Sequence, residues 1–212
     1  MVIELGLEAV EVQTDVIGNL RRATRIQLEQ YDAAVNVGQM SGSRARYRWF
    51  LEKMYGFYGP IEANLEVRLG PFEKAGFDFS TRRKSSALLL DLLAIGVTRP
   101  ELDELCLCET SFEINSPAQA LGVLFVLEEL IVGGEFVRQL ISQRMGVDPD
   151  KAARFLAGYG ANTVLMSREL SRVLASNISK KEEEEAIEAA QSVFADLLKW
   201  LEIESSSIKK CG

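Results

Sequence analysis

Apolar residues recur along this chain at helical intervals, and alternation never persists long enough to make a strand. In the first segment Val16, Leu20, Ala23, Ile26 and Tyr31 form one stripe, with Arg21, Arg22 and Arg25 on other faces. Thr14 or Asp15 starts this helix, which is predicted to run to about Val35 after a short lead-in over residues 1–13. A second helical stretch begins at Ser43. Gly56, Gly59 and Pro60 interrupt it, which predicts a kink or two helices meeting there, and Gly70-Pro71 ends it. Thr81 is the expected cap and Gly96 the expected stop of the next helix, over RRKSSALLLDLLAIGV, and residues 97–115 are irregular or hold one short helix.

The stretch from Ser116 to Arg144 organises the rest. Ser116 and Gln119 have the spacing of a reciprocal cap, and Pro117 suits the first helical position. Ala120 to Val132 is then apolar on nearly every side apart from Glu128 and Glu129. Such a helix belongs in the middle of a bundle, and this one is too short and too interrupted by acids to span a bilayer. Gly133-Gly134 follows inside the helical pattern. Each glycine costs roughly 1 kcal/mol against Ala, so the pair needs a reason. Either it permits a kink or close helix packing, or it bends the helix over a flat ligand that lies against bare backbone. Gly146 ends this run, Asp148-Pro149 opens another helix, GYG at 158–160 breaks it, and helical pattern resumes over 162–174 and 180–202. The acids at 182–185 suit the start of the last helix. Together these segments predict a single all-α domain over residues 1–204, roughly seven to nine helices packed as a bundle, with residues 205–212 a flexible tail.

Composition narrows the chemistry. The net charge of −7 argues against nucleic acid as a partner. The complete absence of histidine removes imidazole ligands, histidine-based nucleophile pairs and histidine acid–base catalysis. Cys106 and Cys108 form a C-x-C with no second pair to complete a metal site, so inert thiols and no metal are expected, and Cys211 lies in the tail. No basic-then-apolar leader opens the chain, which points to a cytoplasmic protein without a membrane span.

Five stretches, in order, carry a resemblance: LRRATRIQLEQYD at 20–32, YRWFLEKMYGFYGPIEANL at 47–65, RRKSSALLLDLLAIG at 82–96, SPAQALGVLFVLEELIVGG at 116–134 and RFLAGYGANT at 154–163. In this the chain resembles the bacterial, biliverdin-forming haem oxygenases. The resemblance implies an all-α haem oxygenase-like bundle with haem between a proximal helix, which supplies a histidine to the iron, and a distal helix bent at glycines. It implies a reaction in which electrons from a reductase and three O₂ open haem to biliverdin, iron and CO.

Two departures stand out against that pattern. The family's LREAT motif is followed by its iron-ligating histidine, and that position is Leu28. The distal segment, approximately Glu-Gly-Ser-x-Leu-Gly-Gly in the family, reads here from Glu128 and Glu129 to Gly133 and Gly134, so a glutamate replaces the first glycine. Leucine offers the iron no lone pair. Glu129 either points inward and fills volume that haem or O₂ would need, or turns to an arginine or to solvent. By the same resemblance Arg21, Arg22 and Arg25 are either ordinary surface charge or propionate contacts, and Tyr159 and Arg168 are candidates for the open side of the cleft, with packing the alternative for Tyr159. Tyr55, Phe57 and Tyr58 are core residues first and a tetrapyrrole wall second.

The expectation is a degenerate member without normal haem cleavage, whose cleft is altered or serves another ligand, such as a linear or metal-free tetrapyrrole, or a protein partner. The alternative is an active haem oxygenase whose iron is held by water or Glu129.

Overall fold

The computed structural model describes residues 15–70, 72 and 77–203. The lead-in over 1–13, the tail from 205 and Cys211 lie outside them. Helices account for the regular structure throughout, with no strand among the described residues.

Helix α1 (Val16–Val35) opens where the Asp15 carboxylate accepts the Gly18 amide at 2.9 Å. Its core face is Val16, Leu20, Thr24, Tyr31 and Val35. Ile26, expected on that face, is 60% exposed, because it stands about 200° round the helix from Thr24. Thr24 fits the core by donating its hydroxyl to the Leu20 carbonyl at 2.8 Å. After the single turn α2 (Val37–Met40), helix α3 (Arg44–Leu69) runs unbroken through Pro60. The stretch is therefore not two helices. Pro60 has no N–H for the Gly56 carbonyl, and the Cys108 amide takes that carbonyl at 2.9 Å instead. Gly56 is required by the same contact, since a Cβ there would sit 2.6 Å from the Cys106 carbonyl oxygen. Cys106 and Cys108 are therefore buried packing residues, and burial pushes the Cys108 thiol up to about 12.

Thr81 does not cap the next helix. Residues 79–82 form a short 3-10 turn and α4 (Ser85–Ala94) begins later. Its first amides, at Lys84 and Ser85, are taken by the buried Glu62 carboxylate of α3 at 2.5 and 3.2 Å. A short α5 (Arg99–Asp103) is held by the Thr98–Glu101 capping box.

The central helix α6 (Pro117–Glu129) starts as its sequence predicts, with Ser116 and Gln119 capping reciprocally. It is buried almost all round and crosses α10 (Glu183–Glu202) at Gly122, where a Cβ would lie 2.1 Å from the Ala186 carbonyl oxygen. Helix α1 packs on the same α10. The chain then breaks, rather than merely kinks, over residues 130–133 and resumes as α7 (Gly134–Met145), with Gly133 left-handed at φ +77°. Gly146 ends α7 in the same conformation, φ +65°. Helix α8 (Pro149–Ala152) is a single turn capped by Asp148. It stops because the Arg154 and Phe155 amides turn away to the buried Asp91 carboxylate of α4, at 2.8 and 2.9 Å. Helix α9 (Thr163–Asn177) then leads to α10. No helix among the described residues is long and apolar enough to cross a membrane.

Candidate functional site

The cleft lies between α1 and the distal segment formed by the end of α6, residues 130–133 and the start of α7. The caps at Asp15 and Ser116 set the two walls, and the loop at 153–160 closes the back. The space is divided. One compartment of about 180 Å³ is bounded by Ile17, Arg21, Glu128, Gly133, Tyr159 and Ser167 among others. A second, of about 230 Å³, is bounded by Leu28, Tyr31, Phe50, Leu130 and Val137 among others. Both are walled by Glu129, Val132, Gly134 and Leu156.

Glu129 sits at this division and its carboxylate is committed. Arg21 donates to Glu129 Oε1 from Nη2 at 2.9 Å and from Nε at 3.2 Å. Leu28, at the position the resemblance assigns to the iron ligand, is half-buried and lines the second compartment with Glu129. Gly134 is not bare backbone facing a ligand, because the Leu156 carbonyl oxygen occupies the place of its Cβ, at 2.4 Å. Gly133 does line the first compartment and has nothing within 4 Å of its Cβ position.

Glu128 faces the opposite way from Glu129 in its partners. It accepts from Arg82 Nη1 at 3.1 Å and from the Tyr159 hydroxyl. Arg82 is buried and also donates to Glu169 and to the Met166 carbonyl, both at 2.8 Å. Lys84 lies 3.4 Å from the Tyr159 ring centroid and donates to the Gly158 carbonyl at 3.0 Å. Burial pushes the Lys84 ammonium down to about 8, against the pull of Glu128 and Glu62. Burial and the Glu128 carboxylate hold the Tyr159 hydroxyl above its ordinary range. Tyr159 thus stands in the cleft wall as part of a buried network that ties the 158–160 turn to the distal helix.

The other candidates disperse. Arg25 pairs with Glu29 on the surface at 2.5 Å, and Arg22 donates to Asn19 at 2.7 Å. Arg168 is exposed on α9, in a depression with Leu165, Met166, Glu169 and Arg172, and does not border either compartment. Phe57 and Tyr58 are buried core, with the Tyr58 hydroxyl on the Leu127 carbonyl at 2.8 Å, and Tyr55 is half-buried.

Arg82, Lys84 and Glu169 were not legible as site residues. Their partners lie 46 to 87 positions away, beyond any local periodicity. The only available signal was three cations, Arg82, Arg83 and Lys84, just ahead of the apolar ALLLDLLA run.

The residues here lack the axial histidine that the resemblance implies for haem. No imidazole exists in the sequence, and Leu28 stands at the position that the resemblance assigns to the iron ligand. Glu129 is engaged by Arg21.

No protein-family model and no curated protein sequence matches the chain. Solved structures do. The NO- and CO-bound haem oxygenase from Neisseria meningitidis is 19% identical, with 93% of this chain and 98% of that one covered at a TM-score of 0.73. The haem oxygenase from Leptospira interrogans is 17% identical, with 89% and 98% covered at 0.70. Over nearly its whole length, then, this protein has the all-α fold of the bacterial haem oxygenases.

Proposed function

We propose that this protein is a haem oxygenase-fold protein that does not cleave haem, and that its cleft serves a ligand other than iron-bound haem. The observation that carries this reading is the pairing of Leu28 and Glu129 on one compartment wall. Leucine at the expected ligand position offers the iron no lone pair, and the distal carboxylate is held by Arg21. The Arg21–Glu129 pair is not itself a lock. Arg21 is 58% exposed, and such pairs contribute about 0–1 kcal/mol, so a ligand with better contacts would part it. What it lacks cannot be so easily supplied, because axial ligation is what holds and tunes haem iron. A linear or metal-free tetrapyrrole needs no axial ligand and is the ligand class this reading favours. A protein partner at the cleft mouth is the other.

The test is a haemin titration followed in the Soret region. The expected result is weak binding without a histidine-ligated spectrum. Near-stoichiometric haem on purification from haem-replete cells, with biliverdin formed once electrons are supplied, overturns the reading in favour of an active enzyme with an unconventional ligand.

A further inference from the structure

A groove stands apart from the cleft. It measures about 470 Å³ and shares no lining residue with either cleft compartment. It forms where the first turn of α3, the end of α4 and the α7–α8 junction meet. Tyr47 closes its floor by donating its hydroxyl to the Ala152 carbonyl at 2.6 Å. Gly146, in its left-handed conformation, turns the chain so that Met145 and Val147 both border the groove.

Its charge is the reverse of the molecule's. Arg44, Arg48 and Lys151 line it against the single carboxylate of Asp148, in a chain of net charge −7. Arg48 is already held by Glu52 at 2.6 Å and Glu101 at 3.0 Å. Arg44 has no carboxylate partner among the described residues. Among the described residues Lys151 pairs only with Asp148, at 3.2 Å, and its side chain is 74% exposed, so that pair is weak and its ammonium can be recruited. The remaining walls are apolar: Ala45, Ala94, Ile95, Met145 and Val147.

We propose that this groove binds a small apolar monocarboxylic acid, its tail against Ile95, Met145 and Val147 and its carboxylate between Arg44 and Lys151. The volume lies within the range of small-molecule pockets, about 300–1,000 Å³. A planar guanidinium with no carboxylate partner among the described residues matches a carboxylate in geometry as well as charge. A simple inorganic anion would leave the apolar walls unused, and a neutral apolar molecule would leave Arg44 unanswered.

The test uses octanoate as the probe, with the full chain, by calorimetry and by amide chemical shifts. The expected result is saturable one-to-one binding with shifts at Ala45, Ile95 and Val147. Arg44→Gln with Lys151→Gln should weaken it by more than about tenfold, since the loss of even one charge-assisted hydrogen bond amounts to that. Ala94→Trp, at an exposed position, should fill the groove and abolish binding. Octanol should bind far more weakly than octanoate, and inorganic phosphate should not compete. Binding that fails to saturate, that octanol or phosphate matches, that survives both variants, or that shifts only residues 131–135 of the cleft overturns the proposal.

Discussion

Arg21 of α1 and Glu129 of the distal segment meet at 2.9 Å across the cleft, the carboxylate 16% exposed and the guanidinium 58%. The two walls of the cleft are thus joined at the position to which the resemblance assigns a glycine. Removing the pair and supplying an imidazole address different obstacles to one binding event. Leu28→His alone is expected to raise haemin affinity little, and the double variant with Glu129→Gly more than the sum of the singles. Residues sharing a site couple by about 0.5–3 kcal/mol. Four parallel haemin titrations check this, and a Leu28→His single that binds as tightly as the double would show that Glu129 does not obstruct the site.

The crossing of α6 and α10 depends on Gly122. An added Cβ would meet the Ala186 backbone at 2.1 Å, and backbone cannot swing aside as a long side chain can. Gly122→Ala should destabilise by about 1–3 kcal/mol through overpacking, despite alanine's better helix propensity. Urea unfolding should show a lower midpoint with an unchanged slope. Equal or greater stability would mean that the helices separate at no cost.

Glu62 caps α4 from another helix. Its two oxygens take the Lys84 and Ser85 amides while only 1% of the residue is exposed. Glu62→Ala leaves two amides without their acceptor and should cost about 1–3 kcal/mol. Amide exchange at residues 84–88 should quicken more than in α10. Uniform loss of protection across the chain would count against a local capping role.

Asp91 gives stability a pH dependence of defined sign. Burial pushes its carboxyl up to about 6, against the Phe155 and Arg154 amides that favour the charged form. The folded state therefore holds its proton where the unfolded chain, near 3.8, has released it. Stability from this group is greatest below about pH 4 and falls as pH rises through 6, by up to about 3 kcal/mol for a shift of this size. Asp91→Asn should remove that slope. A difference between wild type and variant that stays constant from pH 4 to 7 would mean that Asp91 ionises normally.

Much of this fold is written locally. The caps at Asp15, Ser116 and Asp148 and the stop at Gly146 all act within a few residues of themselves, so short-range hydrogen-bonding chemistry determines them. The apolar run of α6 likewise announces a central helix, and the five stretches in order announce the bundle. Leu28 and Glu129 were visible as departures for the same reason: identity at a position is a property of the chain.

What lay beyond the sequence is whatever a distant group supplies. Pro60 reads as a kink or a junction of two helices, yet α3 continues as one because Cys108 satisfies the freed carbonyl of Gly56. Thr81 reads as a cap, yet Glu62 does the capping from α3. Gly134 reads as bare backbone for a ligand, yet the Leu156 carbonyl fills that space. Whether Glu129 would point to solvent, to an arginine or into the cleft was undecided until α1 and α6 were docked, and docking brought Arg21 within 2.9 Å. Local order sets which backbone groups and charges need partners. Only the packing of helices far apart in the chain decides which partners reach them.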